Sequence, residues 1–113
     1  MNRTHLHGHG LAYEDTGGAG RDVLLLVHGL MSSHETWDGQ LERLGGRYRL
    51  IAPDLFGHGA SDKPSGDYSL GGHAAALRDL LDALQIDSVT IVGHSLGGGV
   101  AMQFAYQLSL IHI

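Results

Sequence analysis

The stretch Val89-Thr90-Ile91-Val92-Gly93-His94-Ser95-Leu96-Gly97-Gly98-Gly99-Val100 decides the fold. The apolar, β-branched run that ends at Val92 predicts a buried strand over residues 87–92. The apolar residues from Val100 onward predict the start of a helix over residues 100–107. Between them lies the pattern G-x-S-x-G, which predicts a sharp strand-to-helix turn that projects the Ser95 hydroxyl away from the sheet.

This turn suits a nucleophile. The N-terminus of the following helix directs free amide groups and the positive end of its dipole at the turn, so a developing oxyanion would find the Leu96 N–H there. A phosphate-binding turn is the alternative, but the stretch contains neither a Walker Gly-Lys-Ser/Thr nor G-x-G-x-x-G. Because a serine occupies the apex, where a phosphate loop needs bare backbone, we favour the nucleophile.

The rest of the chain alternates between strands and helices. The other predicted strands cover residues 11–16, 23–27 and 48–52, and the other predicted helices cover residues 35–44 and 69–85, the latter capped by Ser69. The run Val23–Val27 is apolar throughout, as in strands that are buried on both faces of a sheet. This alternation predicts an α/β fold with a mostly parallel, helix-covered sheet.

Composition excludes several function classes. The chain has 113 residues and a net charge of −5, with 7 basic and 12 acidic side chains and no basic block, so we expect no nucleic-acid partner. The absence of cysteine excludes disulfides and thiolate zinc sites. We predict no metal site at His5, His7 and His9, because no carboxylate or fourth ligand is adjacent. With no signal peptide and no membrane-length apolar run, we expect a cytoplasmic protein without membrane contact.

Three motifs resemble the N-terminal part of the α/β-hydrolase family. They are His28-Gly29-Leu30 after one buried strand, Asp54-Leu55-Phe56-Gly57-His58-Gly59-Ala60-Ser61 after the next, and Gly93-His94-Ser95-Leu96-Gly97-Gly98. Their order and spacing match the family across residues 11–107. The resemblance is specific for the fold and much less so for a substrate.

The resemblance assigns roles position by position. It makes Ser95 the nucleophile and the backbone N–H groups of Leu96 and Leu30 the oxyanion donors. It gives His28 and Gly29 a supporting role, in which His28 holds the oxyanion loop by hydrogen bonds and is not the general base. A serine at this position argues against the relatives that use aspartate there, the haloalkane dehalogenases and epoxide hydrolases.

Three further polar residues have less direct roles. His94, beside the nucleophile, is expected to be supporting as well. His58 lies between two glycines and is expected to be structural or to line the pocket. Asp54 is expected to be a hydrogen-bonded loop carboxylate and not a catalytic one.

Two triad members are missing from the sequence. In this fold the chain order is Ser, then Asp or Glu, then His. After Ser95 the sequence has no acidic residue, and its only histidine is His112. We therefore expect residues 1–107 to be a partial hydrolase domain without its C-terminal half, inactive by itself. Residues 108–113 can be encoded by a transposon-end adapter sequence, and we interpret them as a non-native tail.

The expected function is that of a serine hydrolase acting on an ester or similar acyl bond of a small-molecule substrate, without a cofactor. Cofactor-free haloperoxidases, carbon–carbon bond hydrolases and acyltransferases share these motifs and remain alternatives. So does a non-catalytic binding protein with this fold, because fold alone does not fix function. No feature of the sequence indicates an oligomeric state.

Overall fold

The computed structural model describes residues 2–18, 20–29, 32–63 and 68–112, with side chains as far as residue 106. The strands are β1 (Asn2–Leu6), β2 (His9–Asp15), β3 (Val23–Val27), β4 (Arg49–Pro53) and β5 (Thr90–Gly93). A 3₁₀ turn (His34–Trp37) leads into α1 (Asp38–Leu44), and two longer helices follow, α2 (Leu70–Ala83) and α3 (Leu96–His112).

The five strands form one mixed sheet in the order β1-β2-β4-β3-β5. Strands β3, β4 and β5 are parallel to one another, whereas β2 is antiparallel to both β1 and β4. The predicted α/β fold class is confirmed, and its parallel part is the half that carries the three motifs. The strand β1 was not predicted, because its polar sequence Asn2–Leu6 has few apolar residues to bury.

The central strand β3 explains why the motifs meet. Leu25, Leu26 and Val27 are buried, as expected for a strand covered on both faces. Val27 pairs in parallel register with Gly93, so β3 and β5 end side by side. Because β4 runs in the same direction, the loops that follow all three parallel strands emerge at one edge of the sheet.

Helix α2 covers the sheet with the predicted apolar stripe. Ala74, Leu77, Leu80 and Leu81 are fully buried in the main core cluster. Ser69 begins the helix as predicted, since its side chain accepts a hydrogen bond of 3.0 Å from the Gly72 N–H.

Replacing Ser69 with alanine is expected to lower the free energy of unfolding by about 1 kcal/mol, because the Gly72 N–H loses its acceptor. Urea unfolding followed by circular dichroism measures this change. Ser69→Asp keeps an acceptor at the cap and should retain most of the stability. Equal losses for both variants would show that the cap bond does not stabilise α2.

Helix α3 starts earlier than predicted. The sequence predicts a turn through Gly99 and a helix only from Val100. The structure places the glycines 97–99 inside the helix, whose first turn is closed by bonds from Gly97 N to His94 O and from Gly98 N to Ser95 O, both 2.9 Å. The backbone of α3 continues to His112, so most of the tail assigned to residues 108–113 is helical; its non-native origin stays a prediction.

The outer side of the sheet exposes apolar groups. In the described part of the chain, β5 is an edge strand that pairs only with β3. Val92 on this strand and Met102 and Tyr106 on α3 are exposed. No helix within the described ranges is both long and apolar enough to cross a membrane.

Candidate active site

Ser95 occupies a strained turn directly after β5. Its φ angle is +57°, in the left-handed region that non-glycine residues rarely adopt. The side chain is exposed, although the residues on either side of the turn belong to β5 and α3. Such strain persists only where surrounding structure imposes it, and it is common at functional sites. The hydroxyl is therefore held out of the core and is accessible to a substrate.

Two glycines make this turn possible. A Cβ atom on Gly97 would overlap the carbonyl oxygens of Val27 and His28, at the end of β3. A Cβ atom on Gly93 would overlap the backbone of Gly97 itself. The G-x-S-x-G spacing thus has a steric cause, because the start of α3 passes against the backbone of two strands.

The loop after β3 lies against the serine turn. A Cβ atom on Gly29 would come within 3.2 Å of both Ser95 Cβ and His94 Nδ1. His94 itself is exposed, and its N–H extends the pairing of β5 with β3 by donating to Val27 O at 3.0 Å. The structure therefore brings together Ser95, His94, Gly29 and His28, all of which were singled out from the sequence.

The structure describes only one of the two proposed oxyanion donors, Leu96. Leu96 is the first residue of α3, so its N–H has no acceptor within the helix. It donates to no other group in the described part of the chain. This amide adjoins the Ser95 hydroxyl and is available to an anion. Leu30 lies outside the described residues, so its role stays a prediction.

His28 is fully buried and bridges two loops. Its Nδ1 donates to the carbonyl oxygen of Gly29 at 2.7 Å, and its Nε2 accepts the Leu55 N–H at 3.0 Å. Both bonds require the neutral ring, protonated on Nδ1. Because both nitrogens are occupied, His28 is placed to hold the loop that begins at Gly29, and it has no nitrogen available to take a proton from Ser95.

Burial lowers the pKa of His28 below its ordinary value of 6.5, and the bond to Gly29 offsets only part of this effect. The unfolded chain therefore binds more protons than the folded one between pH ~6.5 and the lowered folded pKa. We expect the free energy of unfolding to be highest above this window and to fall as the pH falls through it. Urea unfolding at a series of pH values from 7.5 to about 5 measures the slope.

The variant His28→Gln should flatten this slope, because its amide carries no titrating proton. His5→Gln, which removes an exposed imidazole on β1, serves as the matched control and should keep the slope of the unmodified chain. A slope that is unchanged in His28→Gln would show that the buried ring is not its source.

Asp54 is a fully buried loop carboxylate with several partners. Its Oδ1 accepts hydrogen bonds from the backbone N–H and the ring Nδ1 of His34, at 2.6 and 2.7 Å. Its Oδ2 accepts the Ala60 N–H at 2.8 Å, and its own carbonyl accepts the Ser61 hydroxyl at 2.5 Å. The expectation of a hydrogen-bonded carboxylate agrees with this geometry, and its non-catalytic role stays a prediction. The sequence analysis missed His34, whose contact to Asp54 joins segments 20 residues apart.

The three N-terminal histidines do not converge. His7 contacts Asp79 on α2 at 3.0 Å, and the ring of His9 lies edge-on to Phe56. No group of three or more potential metal ligands occurs among the residues that the structure describes. His7 and His9 therefore make separate contacts, one with α2 and one with the loop after β4.

A cavity of about 400 Å³ opens beside the serine turn. It is lined by Gly57, His58, Lys63, Tyr68, His73 and Leu96. His58 was expected to be structural or to line the pocket, and it is one of the lining residues. Lys63, Tyr68 and His73 were not singled out from the sequence, because only the packing of α2 against the loop after β4 brings them to the site.

Comparison with known proteins places these features in a family context. A family model described as alpha/beta hydrolase fold matches residues 22–109. An uncharacterized protein of Mycobacterium tuberculosis is 53% identical over 102 residues, which are 90% of this chain and 29% of that protein. A soluble epoxide hydrolase of a Corynebacterium species is 38% identical over 91 residues, 80% of this chain and 32% of that protein.

Solved structures also match the fold of this chain. The structure of an N-acyl homoserine lactone-degrading enzyme superposes with a TM-score of 0.91 at 29% identity. The superposition covers 99% of this chain and 42% of that enzyme. The chain thus spans less than half the length of each of these three proteins.

Proposed function

Because the chain belongs to the α/β-hydrolase fold family, we propose that the full-length protein carrying this sequence is a hydrolase with Ser95 as its nucleophile. Its substrate is an ester or a similar acyl bond of a small molecule. The observation that supports this most strongly is the turn itself: an exposed serine with φ +57° next to a free helix N-terminal amide. Acyl transfer of this kind needs no cofactor.

The proposed reaction begins with attack of the Ser95 hydroxyl oxygen on the substrate carbonyl carbon. A histidine outside the described residues takes the hydroxyl proton and then passes it to the leaving alcohol. The negative charge that develops on the carbonyl oxygen is stabilised by the Leu96 N–H, together with the Leu30 N–H. Water then attacks the acyl-enzyme ester and releases the acid.

The relatives include both lactone-degrading and epoxide-hydrolysing proteins. A serine at position 95 favours the hydrolysis of lactones over that of epoxides. Attack of a serine on an epoxide carbon would form an ether, which water does not cleave under mild conditions. Attack of the same serine on a carbonyl forms an ester that water can hydrolyse. We therefore propose acyl substrates, lactones included, and not epoxides.

Parallel assays of the full-length protein with p-nitrophenyl butyrate and with styrene oxide test this proposal. We expect ester hydrolysis well above the rate without enzyme and no diol from the epoxide. Diol formation without ester hydrolysis would contradict the proposal. The 113-residue chain serves as a control and should be inactive towards both, because the described residues supply no base to Ser95.

A further inference from the structure

The cavity beside the serine turn is lined by basic residues, although the chain as a whole is acidic. We call it the His58 cavity and define it by Gly57, His58, Lys63, Tyr68, His73 and Leu96. Leu96 directly follows Ser95 in the chain, so the cavity adjoins the serine turn. The chain as a whole is acidic, with a net charge of −5. Within the described residues, however, no carboxylate lines the His58 cavity, and three of its six lining residues, His58, Lys63 and His73, are basic.

Lys63 supplies the permanent charge. It is the single lysine of the sequence, its side chain is exposed, and its ammonium lies 3.4 Å from the carbonyl oxygen of Gly59. An ammonium on a flexible four-carbon stem can reorient towards a bound anion. No carboxylate pairs with Lys63 in the described part of the chain.

His58 supplies a second group that can bind an anion. Its Nδ1 donates to Phe56 O at 3.2 Å, which leaves Nε2 without a hydrogen-bond partner among the described residues. The ring is half-buried. With a proton on Nε2 as well as on Nδ1, the ring is a charged donor.

The remaining walls are ring faces and apolar groups. The centroids of the His58 and His73 rings lie 6.3 Å apart, and those of His73 and Tyr68 lie 6.1 Å apart. The Leu96 side chain completes this surface. Walls of this kind favour a short apolar stem over a fully hydrated ion.

We propose that the His58 cavity binds a carboxylate carried on an apolar stem of the substrate. The substrate class would then be an ester or lactone with a second, negatively charged end; this assignment of the bound group to the substrate rests on the proposed function. One permanent cation suits a monoanion, and the ring faces suit the stem. The charge of the cavity would select such substrates over neutral esters of the same length.

The test compares hexanoate with hexanamide, which have the same stem but differ in charge. Each compound is titrated into the full-length protein, and NMR follows the ring protons of His58 and His73 and the methyl groups of Leu96. We expect hexanoate to shift all three sets of signals and to bind about five-fold more tightly than hexanamide, the effect of one partly exposed charge pair.

Two variants separate local charge from total charge. Lys63→Gln should weaken hexanoate binding about three- to five-fold and leave hexanamide unchanged. Arg43→Gln removes an exposed cation from α1 and should leave the binding of both compounds unchanged. Equal affinity for hexanoate and hexanamide, or equal weakening by both variants, would overturn the proposal. So would an absence of shifts at the His58 cavity.

Binding and hydrolysis can fail independently. Ser95→Ala should leave hexanoate binding to the cavity intact, since the serine hydroxyl is not a lining group. If hexanoate binds but the full-length protein hydrolyses no ester, the proposed function fails and the anion site stands. If esters are hydrolysed but hexanoate does not bind, the anion site fails and the proposed function stands.

Discussion

Replacing Ser95 with alanine is expected to lower kcat/KM for p-nitrophenyl butyrate in the full-length protein by at least about 10⁴-fold, to the level that binding and the oxyanion amides provide alone. The loss follows because alanine has no atom that can form the acyl-enzyme. Steady-state hydrolysis rates of both proteins measure it.

Ser88→Ala is the matched control for this loss. Ser88 is an exposed residue that precedes β5, so it lies at the opposite end of this strand from the Ser95 turn. Its replacement should leave kcat/KM within about two-fold, as for surface substitutions in general. If Ser95→Ala kept more than a tenth of the activity, another residue would have to be the nucleophile.

The second large effect concerns folding. Gly97→Ala is expected to destabilise the chain by more than about 3 kcal/mol, because its Cβ atom would overlap the backbone of Val27 at the end of the central strand. Backbone atoms of a buried strand cannot move aside as a flexible side chain can. Urea unfolding of the chain measures the loss, and complete failure to fold would also agree with the expectation.

The neighbouring Gly98→Ala is expected to have the opposite sign. A Cβ atom there lies 3.8 Å from its nearest neighbour, the carbonyl oxygen of Gly93, which is ordinary contact. Alanine in the first turn of α3 should then stabilise the chain by about 0.5–1 kcal/mol. Similar effects of the two substitutions would contradict the steric account of the turn.

The parallel half of the fold could be predicted from the sequence because its elements carry strong local patterns. The run Val23–Val27 is apolar throughout, which is the pattern of a buried strand. The buried residues from Ala74 to Leu81 have the spacing of one face of a helix. The strand β1 has no such pattern. It forms because its backbone pairs with β2 and because Leu6 joins the core. Pairing of this kind depends on the partner strand and leaves little trace in the sequence itself.

The site could be predicted only in part. Ser95, Gly29 and His28 belong to motifs with fixed spacing, and the structure brings the loop at Gly29 close to Ser95 because β3 and β5 end side by side. The bonds of His34 to Asp54 and of Leu55 to His28 join distant segments. Such contacts depend on loop geometry, which no local pattern encodes, so the sequence alone could not predict them.

Identification of the residue that forms a covalent adduct tests the central claim most directly. The full-length protein is treated with a fluorophosphonate, digested, and analysed by mass spectrometry. We predict a single adduct on the peptide that contains Gly93-His94-Ser95-Leu96-Gly97, localised to the Ser95 oxygen and absent from Ser95→Ala. An adduct on any other residue, or undiminished labelling of Ser95→Ala, would contradict the account.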